Sequence, residues 1–432
     1  MIAATLPAEP RPWFGQPRGL TVLFLTNMWE QFSYFGMRAL LIYYMTKSLL
    51  LGQGTASLIY GTYTACAYFT PIVGGVIADR YLGKRRAVVI GASIMAAGHF
   101  MMTFDALFYP ALATIALGNG LFLPSLPSQI NDLYRADDPR RAWAYNVYYV
   151  GINIGGFLAP LICGTLGEVY GWHYGFGAAG IGMVAGLLIY LWGGRYLPPE
   201  VARTPATRAA PGTRFDRGTI VVLVAVALSV TVFRGAYEQI GNTVALWADT
   251  GVDRHIGGMA GGLAGGAAIP MTWFQALNPL LVMVMTPALL AAWRRGGAGG
   301  RLGDATRRMA TGAMIVAGAY LVLAVAATAA GEGRANWLWL VAFFAIYTLG
   351  ELFVLPTGLG LFARLAPPGF GATTVAAWYL TIFSGSLAAG AVGTLWSHMG
   401  HAAFFVMLAG IAAVAAGLLR LSTRVLARRD GA

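Results

Sequence analysis

Twelve stretches of this chain are apolar for 18 residues or more. They run at roughly 20–46, 57–78, 87–104, 107–131, 141–166, 173–194, 218–248, 268–293, 309–330, 336–363, 371–397 and 402–423. A helix needs about 20 mostly apolar residues to cross the hydrocarbon core of a bilayer. Inside that core no water satisfies backbone N–H and C=O groups, so only helices and closed barrels can span it. Barrel strands would alternate polar and apolar positions, and these segments do not. Only 11% of residues are charged and 57% are hydrophobic, whereas a soluble domain carries about a quarter charged. The expected fold is an all-α membrane protein of twelve transmembrane helices. Long Gly-rich and Ala-rich runs fit close helix approach in lipid.

A net charge of +12 would suit a nucleic-acid partner, but its distribution argues against one. With the N-terminus inside, all but five of the 29 Lys and Arg fall on cytoplasmic segments. Lys47, Arg254 and Arg334 fall outside, and Arg38 and Arg234 lie within spans. That asymmetry predicts both termini in the cytoplasm. Residues 1–19 lack the apolar core of a cleavable signal peptide and read as a cytoplasmic tail. Cys66 and Cys163 both fall within spans, where packing is the expected role. The stretch 195–217 is rich in Pro and Arg and reads as a cytoplasmic linker. It divides six spans at 20–194 from six at 218–424, leaving a tail at 425–432. Two six-helix halves are the plan of the major facilitator transporters, which bind substrate between the halves.

Glu30, Glu238 and Glu351 lie inside spans. A carboxylate at membrane depth costs a few kcal/mol or more, so each is a functional candidate. The loop after the second span, GGVIADRYLGKRR at 74–86, places Asp79 beside Arg80, Lys84, Arg85 and Arg86. It is similar to the major facilitator motif in which an acid and arginines latch the cytoplasmic side. Simple positive-inside anchoring would use the same residues.

Several segments resemble the proton-dependent oligopeptide transporter family. They are EQFSYFGMRALLIYYM at 30–45, GNGLFLPSLPSQINDLY at 118–134, YNVYYVGINIGGFLAP at 145–160, YEQIGNTVALWAD at 237–249, WFQALNPLLV at 273–282 and GELFVLPTGLGLFARLAP at 350–367. The resemblance runs from about residue 20 to 400. It implies a peptide site between the halves, with the substrate amine held by Glu351, Asn153 and Asn278. A carboxylate and two amide carbonyls can accept the three N–H bonds of an ammonium. Buried asparagines also tie helices to one another, so Asn153 and Asn278 have a structural alternative. Tyr34, Tyr68 and Trp378 match further pocket positions. Arg38 and Glu238 match a pair that closes the external gate.

The carboxylate end departs from the family pattern of two glutamates three apart, then Arg, then Phe-Ser-Tyr-Tyr-Gly-Met-Arg. The first glutamate is Asn27, the arginine is Gln31 and the second tyrosine is Phe35. A fourth-helix lysine is Leu123. Glu30 is left as the sole acid of the first-helix cluster. A free peptide carboxylate would meet no cation at Gln31 and Leu123, and desolvating an unpaired anion is costly. A ligand with a neutral far end is therefore expected to lose less on entry. Arg234 stands where the family usually has an aromatic residue, one helical turn before Glu238 and on the same face. It is either a local partner for Glu238 or, with Arg38, a substitute cation for substrate.

No enzyme signature is present. The glycine-rich run 257–266 reads as an external loop and lacks the Gly-Lys-Ser/Thr of a phosphate-binding loop. His398 and His401 have no third metal ligand nearby, so neither metal nor cofactor is expected. The reading is a secondary transporter in the cytoplasmic membrane, driven by a gradient. Glu30, Glu238 and Glu351 are its proton carriers, Arg38, Glu238, Arg234, Asp79 and Arg80 its gating residues. Its substrate is a peptide or peptide-like amine, contacted also by Gln31; lipid and protons are its other partners. An uncoupled carrier or exporter of a modified peptide without a free carboxylate is the alternative, and a receptor-like protein that kept only the fold is a third.

Overall fold

The computed structural model describes residues 15–135, 138–199, 216–255, 268–295, 302–367 and 370–430. The N-terminal tail to residue 14, the linker at 200–215 and the glycine-rich run 257–266 lie outside the described residues. The first half comprises α1 (Arg18–Lys47), α2 (Gln53–Ile77), α3 (Lys84–Met101), α4 (Phe108–Ser128), α5 (Arg140–Ala159), α6 (Thr165–Val169) and α7 (Trp172–Gly193). The second comprises α8 (Arg217–Tyr237), α9 (Thr243–Thr250), α10 (Trp273–Arg295), α11 (Leu302–Ala330), α12 (Leu338–Arg364), α13 (Gly371–Gly393) and α14 (His401–Asp430). A π-turn at Pro160–Gly164 joins α5 to α6 into one span. A tight 3-10 turn at Glu238–Gly241 joins α8 to α9 into another. The result is twelve spans in two six-helix bundles.

Among the described residues nine helices are long and apolar enough to cross a membrane on composition alone. The other three spans are α1, α2 and α3, and each has a reason to be less apolar. The first buries Asn27, Glu30 and Gln31 in its middle. Gly, Thr and Tyr are frequent in α2, where Ser57, Tyr60, Tyr63 and Thr64 are buried. The third is only 18 residues long and opens on Lys84, Arg85 and Arg86. A two-residue parallel pairing, β1 (Val252–Asp253) with β2 (Ala335–Asn336), clips the loop after α9 to the loop before α12.

In the first bundle α1 packs on α5 and α7, while α3 packs on α4 and α7. In the second, α11 packs on α12 and α14, and α8 on α13 and α14. The bundles meet through α2 against α13 and α5 against α10. On the side bearing the termini, Lys84 pairs with Asp132 at 2.7 Å. Arg85 donates to the carbonyls of Leu197 and Pro198 at 2.5 and 2.7 Å. The basic loop thus ties α3 to the ends of the fourth and sixth spans. Asp79, expected to latch beside Arg80, is exposed and makes no ion pair among the described residues.

The far side is where the halves bond to one another. Gln53 donates to the Gly393 carbonyl at 2.9 Å, and Ser57 to Asn242 at 2.9 Å. Tyr43 donates to the Ala245 carbonyl at 2.8 Å, and Lys47 pairs with Asp249 at 2.7 Å. Glu168 at the end of the fifth span accepts from the backbone N–H groups of Met271 and Thr272, both at 2.9 Å, and from the Thr272 hydroxyl at 2.6 Å. It is an N-terminal cap for α10 supplied by the opposite bundle, favoured by orphan N–H groups and by the helix dipole.

Gly61 and Gly390 let α2 and α13 touch backbone to backbone. A Cβ at Gly61 would stand 2.6 Å from the Gly390 Cα, so the closed far side depends on the missing side chain. Gly61→Leu should hold the two halves apart there. The check is labelling of Ser57→Cys by a membrane-impermeant maleimide, in a background lacking Cys66 and Cys163. Labelling should be slow with Gly61 and at least tenfold faster with Leu; equal protection would refute the wedge.

Candidate functional site

A cavity of about 730 Å³ lies between the bundles. It runs from Arg38 and Glu238 at its deep end, toward the far side, to Trp293 and Ala363 near the side of the termini. Its wall includes Pro160, Gly241, Pro279 and Pro356. These are the places where helices are interrupted or lack an N–H donor. Irregular backbone is tolerated at membrane depth where it lines a cavity or is buried in protein.

The break in the seventh span is the clearest case. Ending α8 at Tyr237 leaves carbonyls without helical partners, and those of Gly235, Ala236 and Tyr237 accept from side chains. Tyr320 donates to the Ala236 carbonyl at 2.6 Å and Tyr347 to the Tyr237 carbonyl at 2.6 Å. Gln239 donates to the Gly235 carbonyl at 3.0 Å and to the Ala389 carbonyl of α13 at 2.8 Å. The break is tied to α11, α12 and α13 by these bonds, and it presents Glu238 at the head of the cavity.

Glu238 accepts from two guanidiniums, one on each oxygen: Arg38 from α1 and Arg234 from α8. Only 2% of its side chain is exposed, against 12% for Arg38 and 4% for Arg234. Arg38 donates its Nε–H to Tyr60 at 2.6 Å. Arg234 lies over the rings of Tyr237 and Tyr68, 5.1 and 5.8 Å from their centroids. Its Nε is buried without a hydrogen-bond partner. A Cβ at Gly385 would stand 2.4 Å from the Arg234 Cβ, so α13 makes room for the arginine stem by omitting a side chain.

Glu351, near the middle of α12, forms the second polar centre. It accepts from Tyr237 at 2.8 Å and from Asn278 at 2.5 Å. Asn278 also donates to Thr348 at 3.1 Å. Asn153 lines the same cavity, its amide N–H₂ committed to the Tyr149 carbonyl at 2.9 Å. That bond leaves its side-chain carbonyl as the group able to accept from a ligand. Trp378 and Tyr68 also line the cavity.

Some expected residues stand elsewhere. Gln31 donates to Glu30 at 2.7 Å and is not on the cavity wall. Glu30 is 1% exposed and sits behind it. Tyr34 is buried off the wall, its hydroxyl without a partner, and Tyr63 is in the same condition. Asn27, where the family pattern has a glutamate, donates to the Tyr148 carbonyl at 3.1 Å and ties α1 to α5. His401 stacks on Trp396 with centroids 4.3 Å apart. Sequence reasoning missed Tyr237, which links the two polar centres. The clue was its place beside Glu238 at the end of an apolar run. It also missed Glu168, which reads in sequence as an ordinary acid at a helix end.

A family profile described as POT family matches residues 85–202 and 214–408. The chain is 30% identical to the uncharacterized transporter YclF of Bacillus subtilis (strain 168) over 485 aligned positions, covering 96% of this chain and 95% of that one. It is 29% identical to a di-/tripeptide transporter of Lactococcus lactis subsp. cremoris, covering 95% and 96%. A crystal structure of the peptide transporter POT in complex with sulfate superposes with a TM-score of 0.86 at 28% identity, covering 96% of both chains. A paired-bundle fold, a polar cavity between the bundles and these matches along nearly the whole length lead to one conclusion: the chain belongs to the POT family of proton-dependent oligopeptide transporters.

Proposed function

We propose that this protein carries short peptides or peptide-like amines across the cytoplasmic membrane, coupled to protons, with both termini in the cytoplasm and no enzymatic activity. The observation that carries the reading is Glu351. It is a buried carboxylate on a cavity wall, held by Asn278 and Tyr237, with Asn153 on the same wall. A buried carboxylate with neutral partners is costly alone and gains most from an incoming ammonium. The positive-inside asymmetry puts the side of the termini in the cytoplasm, so the cavity opens inward here while the far-side bonds close the exit. Rocking of the bundles would break those bonds and expose the same residues outward. Glu30, Glu238 and Glu351 are the carboxylates able to carry a proton through the cycle. Arg38, Arg234 and Glu238 form the gate; Asp79 and Arg80 stand where the opposite gate would latch.

In proteoliposomes, an acid exterior should drive accumulation of L-Ala-L-Ala, and a protonophore should abolish it. Glu351→Gln should weaken binding of the dipeptide at least tenfold, about 1.4 kcal/mol, the loss expected for a charge-assisted hydrogen bond out of water. Unchanged affinity in that variant would remove Glu351 from the amine site.

The shared carboxylate makes the gate asymmetric. Arg38→Ala leaves Arg234 paired with Glu238, whereas Glu238→Ala strands two buried guanidiniums. Breaking a buried pair from one side costs about 3–5 kcal/mol. Glu238→Ala should therefore lower the melting temperature more than Arg38→Ala. Adding Arg38→Ala to Glu238→Ala should recover part of the loss, a coupling seen only between contacting residues. Equal and additive effects would mean the three side chains do not share one carboxylate.

A further inference from the structure

Among the described residues, four charged side chains line the cavity: Arg38, Arg234, Glu238 and Glu351. They are not evenly spread. Two guanidiniums and one carboxylate occupy the deep end, and Glu351 stands apart from them among neutral partners. The deep end therefore carries one positive charge in excess, and the Glu351 end one negative. The two ends are close, because Arg234 lies over the Tyr237 ring and Glu351 accepts from the hydroxyl of the same tyrosine. A single small molecule can touch both.

Arg234 lines the cavity beside Tyr68 and Tyr237, and its only ion-pair partner among the described residues, Glu238, is shared with Arg38. Buried polar groups are normally paired, and an excess buried cation is costly until an anion arrives. The Arg234 guanidinium on the cavity wall is already held in place by the ion pair and by two aromatic rings, so little rotamer freedom is lost when it binds. The positions that hold the carboxylate elsewhere in the family are closed to it here. Gln31 is turned onto Glu30, and neither Gln31 nor Leu123 is on the cavity wall.

We propose that Arg234 is a specificity-determining residue: its guanidinium, made surplus by Arg38 on the shared Glu238, receives the carboxylate of a zwitterionic substrate whose ammonium sits at Glu351. This rests on the peptide-carrier reading and sharpens it. The substrate is selected for carrying both charges. On this proposal the free acid is preferred over a ligand with a neutral far end, opposite to the expectation drawn from the missing first-helix and fourth-helix cations.

The test is binding of L-Ala-L-Ala and of L-Ala-L-Ala amide to the purified full-length protein, measured by ligand-dependent thermal stabilisation. The native protein should bind the free acid at least tenfold more tightly than the amide. In Arg234→Gln that ratio should fall to about one, through weaker binding of the acid. Arg234→Lys should keep a preference for the acid, and it serves if the Gln variant does not fold. A ratio untouched by Arg234→Gln, or a native preference for the amide, would overturn the proposal and leave Arg234 as a partner of Glu238 only. Loss of acid and amide binding together in Arg234→Gln would also overturn it, as the mark of a structural role. If neither compound stabilises the native protein, the peptide-carrier reading fails first, and this inference with it.

Discussion

One carboxylate shared between two bundles governs the rest of this structure. Glu238 can hold Arg38 across the interface only because the seventh span breaks at that point and turns the side chain inward. The break in turn is tolerable only because tyrosine hydroxyls from α11 and α12 and an amide from within the turn take up the freed carbonyls. Remove those donors and several polar groups are orphaned in a region without water, at a cost comparable to losing the ion pair itself. Gate, cavity head and helix break are therefore one cooperative unit.

Architecture was largely legible in the sequence, and for a clear reason. In lipid the backbone has so few options that a run of apolar residues is almost a statement of structure. Of the spans found least apolar, α1 buries its polar residues against protein, whereas α3 is short and opens on three basic residues. In α1 that polarity marked candidate site residues while weakening the signal for the fold. The amine end of the cavity was legible too, since Glu351 had no other reason to be buried.

What the sequence did not reveal is direction. Gln31 and Arg234 both lie within one helical turn of a key glutamate, one adjacent and the other four residues away. The adjacent Gln31 turns to its neighbour Glu30 and leaves the cavity, while Arg234 follows its helix face into it. Tyr237 was hidden for a similar reason: an aromatic residue at the end of an apolar run reads as packing until its hydroxyl is seen on Glu351. Glu168 was hidden because its partners are backbone N–H groups of a distant helix, which leave no trace in side-chain identity.

The α10 helix joins two events that would otherwise be separate. Its first turn is capped by Glu168 from the opposite bundle, and Asn278, less than two turns further along, grips the carboxylate awaiting the substrate amine. At about 1.5 Å per residue, Thr272 and Asn278 are about 9 Å apart along the helix axis, on the stretch that precedes Pro279. So short a helical stretch moves largely as one piece, and a change of seating at its capped end is felt at Asn278. Linkage then runs both ways: whatever tightens the grip on Glu351 changes the free energy of uncapping α10, and uncapping changes the affinity for the amine by the same factor. Occupancy of the cavity and closure of the far side would be a single thermodynamic variable, read out through one helix terminus.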